Sequence, residues 1–340
     1  MTILGDVMTS LSTTAIAFNL ILLPLIAFKS GRDIGSYRVL LFLYSVVAIV
    51  HTATTLIMVP VIEPSEKGWL FYSSVPRVPR ELGSYIICTF STCYIKLLLI
   101  LAYSFLYRYF VMCAPHLLVW FQRPKKIIIL VFIYVGVVAC CAGPVTAYMR
   151  LNTEIAISYA EEGNLIQLDK IAYIGAPMYK DGHFVKETAY ILTVYTIAIM
   201  GATIVCCFCC VKIIQEFISA ASLTTESANF RRLQKRLFVL LILQTTIPFI
   251  FTFTPGLLTY GLAFLGTKAP PFISEIVSAF MPMAQLLDPI LIFTFIGEYR
   301  LGLVNAFKRI VLRQNIVAME SVTDTTVSRV QPSDNLNIVP

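Results

Sequence analysis

The chain predicts an all-α membrane protein, a bundle of seven spanning helices followed by a short amphipathic helix. Three observations carry that prediction. Of 340 residues, 58% are hydrophobic and only 13% charged, against about 25% charged in ordinary soluble domains. So little polar side chain cannot clothe a soluble core. The apolar residues gather into seven nearly uncharged runs, each long enough to cross the hydrocarbon of a bilayer. The runs then end on clustered cations, most sharply at Arg231, Arg232, Lys235 and Arg236, after which no charge follows until beyond Gly266. The net charge of +7 does not call for nucleic acid, because the cations sit at the ends of apolar runs rather than in one patch.

The spans fall at about 9–28, 39–62, 82–107, 127–149, 188–214, 237–265 and 273–296. The first is longer than a signal-peptide core and has no basic leader, so it reads as a span. The small residues Ala15 and Ala17 keep cleavage as the alternative. A polar turn, Lys29–Arg38, leads into the second span, and a loop with Pro64, Pro76 and Pro79 leads out of it. The third span ends at Arg108. The segment Cys113–Lys126 is basic at Arg123, Lys125 and Lys126, and the fourth span holds Gly143 and Pro144 near its outer end. In the long loop Arg150–Glu187, the alternation from Ile155 to Tyr159 is a candidate hairpin lid.

After the fifth span comes a polar connection, Gln215–Arg236. From Leu237 to Leu265 the sixth span covers about 43 Å at 1.5 Å per residue. Pro248 and Pro255 each remove a backbone donor, so its outer half should be kinked, and Pro289 marks a kink in the seventh. Gln244 should face other helices rather than lipid. Past a Pro-rich turn and the seventh span, Leu303, Val304, Phe307, Ile310 and Val311 share a face, with Arg300, Lys308, Arg309 and Arg313 between them. That pattern predicts an amphipathic helix on the inner leaflet at about 299–313, followed by a disordered cytoplasmic tail, 314–340. About two thirds of the 26 Lys and Arg residues then lie on the side of the tail, which puts the N-terminus outside.

Nine cysteines are present, all but Cys113 inside apolar runs, which excludes a secreted disulfide framework. The pairs Cys206–Cys207 and Cys209–Cys210 lack nearby histidines, so no metal site is expected; acylation of this cluster or of Cys113 is the alternative use. His51, His116 and His183 are widely separated, and no metalloprotease, phosphate-loop or nucleophile-elbow motif occurs. An enzyme is not expected, nor a cofactor.

Ionisable side chains within a span cost at least about 2.5 kcal/mol each and mark functional positions. His51, Lys96 and Asp288 all fall roughly 18–20 Å from the inner charged boundary. They predict a buried polar layer with Lys96 and Asp288 paired, directly or through water. The pair acts either as a structural tie or as a latch that differs between two states.

Several segments resemble one family. The sixth span from Leu237 to Pro248 is similar to the corresponding helix of nematode serpentine chemoreceptors of the Str family. Gly35–Arg38 entering the second span, Tyr107–Phe110 ending the third, Asp288–Pro289 in the seventh and Glu298–Arg300 after it match as well. The resemblance covers Ile34 to Arg300. It implies a GPCR-like bundle, with residues 1–310 as the receptor domain. It also implies an olfactory-type chemosensory function: a small extracellular ligand, activation of a heterotrimeric G protein, and a multi-pass place in the plasma membrane, at the sensory cilium. Three features depart from the wider rhodopsin-like class. Tyr107, Arg108 and Tyr109 stand where an acid-Arg-Tyr triplet is usual, and Asp288 stands where Asn precedes the proline. The loop Arg150–Glu187 has no cysteine, so the usual bridge from the third helix cannot tether it.

On this reading an odorant-like molecule binds between the outer halves of the third, fifth, sixth and seventh spans. Tyr85, Thr89, Thr92, Tyr195, Phe253, Tyr260, Glu275 and Phe280 are the candidate lining residues; helix packing or interface anchoring is their bland alternative. Tyr107, Arg108, Tyr109, Arg231, Arg232, Lys235 and Arg236 are the candidate G-protein-coupling residues. Arg108 either touches the G protein or holds the third helix to the sixth until activation; a purely topogenic cation is the alternative. Ser222, Thr224, Thr225, Ser227, Ser321, Thr323, Thr325, Thr326 and Ser328 offer phosphorylation sites in what is otherwise solvated loop. A seven-span ligand-gated channel or transporter competes with the receptor reading. The odd span number, the absence of internal repeats and the single Lys–Asp layer speak against a carrier, and channels of the insect odorant type have the opposite orientation. The sequence assigns no oligomeric state.

Overall fold

The computed structural model describes residues 3–29, 35–150, 153, 155–157, 170–180, 183–219, 228–268, 270–305 and 308. Seven helices are long and apolar enough to cross a membrane. The first is Ile3–Lys29, the second Tyr37–Met58, the third Arg80–Met112 and the fourth Pro124–Met149, whose last turn, Val145–Met149, is π-helical. The fifth is Lys186–Ser219 and the seventh Pro271–Phe295. The sixth is composite: α-helix Ala228–Pro248, a π turn Phe249–Phe253, then α-helix Thr254–Phe264. Pro248 lacks the donor that would continue the i to i−4 ladder, and the backbone opens into the wider π pattern directly after it.

Helices are the only open-chain way to satisfy backbone groups in hydrocarbon, and the polar side chains inside the spans follow the same logic. Hydroxyls fold back onto the carbonyl one turn earlier: Thr13 on Thr9, Thr52 on Ala48, Ser104 on Ile100 and Ser278 on Ser274. The third span is the hub, packing against the second, fourth, fifth and sixth, while the first lies between the second and seventh.

The second span ends at Met58, short of the expected Ile62. Val59 takes a left-handed conformation, φ 42°, and Pro60 cannot donate to extend the helix. From Pro60 the chain instead enters a three-stranded antiparallel sheet that the sequence reading did not anticipate: β1 Pro60–Ser65, β2 Gly68–Ser73 and β3 Tyr173–Pro177. β3 belongs to the long loop between the fourth and fifth spans. Five paired positions, from Gly68↔Pro177 to Tyr72↔Tyr173, hold that loop to the first one. Gly68 makes the pairing possible, because a Cβ there would lie 2.1 Å from the Ala176 carbonyl oxygen. The nine cysteines are all free.

The candidate lid at Ile155–Tyr159 is corrected. Residues 155–157 form a helical turn, and Ile155 and Ala156 pack with Leu70 and Tyr173 over the outer face of the sheet. On that face the Tyr72 hydroxyl donates to Glu63 Oε2 at 3.1 Å. Burial pushes the Tyr72 phenol above its ordinary value of 10.0, and the Glu63 carboxylate adds to the shift.

Past the seventh span, residues 297–305 are helical. Gly302 lies close against the first span, where an added Cβ would sit 2.8 Å from Leu25 Cδ2. The remainder of the expected amphipathic helix, apart from Lys308, and the tail 314–340 lie outside the described residues. So do the candidate phosphorylation sites, both those between Ser222 and Ser227 and those in the tail.

Candidate functional site

The half of the bundle beneath the sheet holds a cavity of about 250 Å³. The sheet forms its roof. Residues two apart on a strand share a face, so Trp69 and Phe71 of β2 point inward with Ile174 of β3, and Ile62 of β1 joins them. Ser91, Tyr94 and Ile95 contribute from the third span, Tyr195 and Thr196 from the fifth, Thr252, Phe253, Gly256 and Tyr260 from the sixth, and Met281 from the seventh. The indole of Trp69 meets the Tyr260 ring edge-on, centroids 4.7 Å apart. No charged side chain among the described residues lines the space. Four buried polar atoms around it, Trp69 Nε1, Tyr94 OH, Tyr195 OH and Thr252 Oγ1, have no hydrogen-bond partner among the described residues. Buried polar groups are nearly always satisfied, so these four atoms are free to bond whatever occupies the cavity.

At the other end of the bundle lies Arg108, 1% exposed. Its guanidinium sits over the Tyr37 ring, 4.0 Å from the centroid, and Nη1 donates to Gln234 Oε1 at 2.7 Å. A hydrogen bond from a charged donor contributes about 1.5–3 kcal/mol net, and a desolvated cation–π contact about 2 kcal/mol. The second, third and sixth helices therefore meet on one side chain. Tyr37 stacks on Tyr107 at 6.0 Å, and the Tyr107 hydroxyl comes within 2.9 Å of where a Cβ on Gly35 would stand. At φ +58° that position favours glycine in any case.

The sequence model of the family described as "Serpentine type 7TM GPCR chemoreceptor Str" matches residues 6–304. The chain belongs to this family of seven-transmembrane G-protein-coupled receptors. Serpentine receptor class r-10 of Caenorhabditis briggsae is 27% identical over 92% of this chain and 92% of its own. G-protein coupled receptor str-33 of Caenorhabditis elegans is 23% identical over 86% and 88%. The crystal structure of squid rhodopsin shares the fold at a TM-score of 0.59, covering 91% of this chain and 85% of its own with 11% identity.

Within this Str receptor the expected lining residues divide. Tyr195, Phe253 and Tyr260 line the cavity; Tyr85, Thr89, Thr92, Glu275 and Phe280 do not. On the third span the cavity takes the face of Ser91, Tyr94 and Ile95, whereas Tyr85, Thr89 and Thr92 lie on another face. Tyr85 is outside the bundle beneath Arg150, 4.4 Å from its ring centroid. The hydroxyls of Thr89 and Thr92 turn back to Tyr85 O and Thr89 O. Glu275 is exposed, and Phe280 packs edge-on against Phe251 at 5.5 Å. Trp69, Tyr94 and Thr252 were missed. The alternation of Trp69 and Phe71 is the signal that could have placed β2 over the site.

The predicted polar layer does not assemble. His51 is fully buried, stacked on Phe90 and edge-on to Tyr94, each at 4.8 Å, with neither ring nitrogen partnered among the described residues. Asp288 is buried on the seventh span and faces Tyr44 and Gln244, though no partner completes hydrogen-bond geometry with its carboxylate. Lys96 is half-buried and makes no ion pair with it; the one salt bridge among the described residues is Arg150–Glu81 at 3.5 Å. Equal depth along two helices does not turn two side chains toward each other. Of the coupling candidates, Tyr107 and Arg108 are buried, Tyr109 is half-buried, and Arg232, Lys235 and Arg236 are exposed on the inner turns of the sixth span. The Arg231 side chain lies outside the described residues.

Proposed function

We propose that this Str receptor is a chemosensory receptor of the olfactory type, which takes a small neutral ligand into the outer cavity and activates a heterotrimeric G protein from the inner face. One observation carries the reading: the sixth helix walls the cavity at one end and bonds Arg108 at the other. Thr252, Phe253, Gly256 and Tyr260 line the ligand space, while Gln234 accepts from Arg108. A guest that bonds the unpartnered hydroxyl of Thr252 has a direct grip on this helix. The π turn Phe249–Phe253 between the two ends gives it a place to bend. Release of Gln234 from Arg108 would then open the inner face, where the exposed Arg232, Lys235 and Arg236 stand ready to meet a G protein. The same reading puts the N-terminus outside the cell and the receptor in the plasma membrane, at the sensory cilium.

The test is a heterologous G-protein signalling assay against a panel of small odorants and peptides, with Arg108→Ala as control. A responding odorant should lose its response in Arg108→Ala at equal surface expression. Ligand-evoked ion current that persists without any G protein would instead favour the channel reading.

A further inference from the structure

The roof and the walls of the cavity differ in what they admit. Above, the sheet seals it from water: Ile62, Trp69, Phe71 and Ile174 are all buried. A smaller recess near Tyr148 and Glu187 meets the cavity only across Met149 and Ile191, which are buried as well. The side between the fifth and sixth spans is different. The fifth helix packs on the third and fourth, and its backbone makes no comparable approach to the sixth. Their inner ends meet through Phe217 and Phe238, ring centroids 5.8 Å apart. Farther out, beyond the π turn, each helix carries a residue that lines the cavity and is exposed, Leu257 on the sixth and Thr196 on the fifth. Leu257 lines the cavity yet is 66% exposed, and a Cβ on the neighbouring Gly256 would meet no atom within 4 Å. Thr196 and Ile199 line the cavity from the fifth helix. At 1.5 Å per residue, Gly256 lies roughly 12 Å and Thr196 roughly 15 Å below the outer ends of their helices. That depth is hydrocarbon rather than headgroup.

We infer that the slit between the fifth and sixth spans, with Gly256 and Leu257 on one lip and Thr196 and Ile199 on the other, is the portal of the cavity, and that it admits uncharged, membrane-partitioning molecules from the outer leaflet. The inference rests on the cavity being the ligand site, and it sharpens the ligand class. A permanently charged compound would have to cross hydrocarbon and then lie among walls without a counter-charge.

Access to the cavity can be read without any ligand or signalling. The chain has two Trp, so Trp120→Phe leaves Trp69, in the roof, as the sole indole. Its fluorescence is followed in lipid nanodiscs against two contact quenchers, iodide, confined to water, and 1-bromopentane, which partitions into the bilayer. Trp69 should be quenched by bromopentane and hardly by iodide. Gly256→Leu, filling the slit, should lower bromopentane quenching several-fold. Gly261→Leu, at a position that also faces open space but does not line the cavity, should leave it unchanged and controls for folding. Quenching by iodide as strong as that of an exposed indole would overturn the portal. So would no effect of Gly256→Leu, or an equal loss in Gly261→Leu. None of these readings depends on coupling, so a failed signalling assay and a failed portal remain distinct results.

Discussion

Arg108 is a cation removed from water with no carboxylate beside it, held by an aromatic face and one amide oxygen. A neutral acceptor suits a contact that must break. A fully buried ion pair costs several kcal/mol to separate, whereas a hydrogen bond on a charged donor contributes about 1.5–3 kcal/mol. If the Gln234 bond belongs to the resting state, Gln234→Leu removes that much from it and shifts the resting–active balance by roughly 10- to 100-fold. Agonist-free G-protein activation should therefore rise in Gln234→Leu at matched surface expression; an unchanged baseline would mean the bond is equally present in both states. Asp288, by contrast, faces Tyr44 and Gln244 and makes no ion pair with Lys96. The presence and depth of both charges were legible in the chain, since ionisable residues in apolar runs stand out. Their partners were not, because partners depend on helix rotation.

Two elements give the outer half its character. One is the sixth helix, whose departure from α geometry follows from Pro248 and which carries the exposed, cavity-lining Leu257. The other is the sheet, where the register of β2 turns Trp69 and Phe71 onto the cavity and leaves Leu70 and Tyr72 beneath the second loop. Gly68 is the weak point of that sheet. A methyl group there meets the Ala176 carbonyl at 2.1 Å, and overpacking of this kind costs about 1–3 kcal/mol. Gly68→Ala should lift the roof, lower thermal stability in detergent and red-shift the emission of Trp69 in a Trp120→Phe background. Unaltered emission would show that the loops are held by something other than strand pairing. The prolines were readable as breaks, but the strands were not. Short runs of apolar and aromatic residues between helices carry too little periodicity to reveal partners about a hundred residues away.

At the scale of the whole molecule, the membrane determines which arrangement is usable. If the cationic ends share the cytosol, the cavity faces outward and the Arg108 end faces the G protein. A tag at the N-terminus should then be stained by antibody on intact cells, and one at the C-terminus only after permeabilisation. The reverse pattern would invert the cavity and sink the receptor mechanism. The rhodopsin fold at 11% identity shows how little of the bundle's general shape depends on particular side chains. Helix length follows from hydrocarbon thickness, and helix number from how many apolar runs the chain has that are long enough to cross it.

By itself the sequence determined that seven helices cross a bilayer, where each approximately begins, which of them proline breaks, and which family the chain resembles. Those properties are local, set by runs of residues against a uniform solvent. Only the tertiary structure decided which face of the third helix looks into the cavity, that two loops join as a sheet above it, that Lys96 and Asp288 stay apart, and that Leu257 lines the cavity while remaining exposed. In lipid there is no hydrophobic gradient between a helix's inner and outer faces of the kind water supplies to a soluble protein. Rotation and lateral spacing are therefore set by packing between helices, which no single stretch of the chain contains.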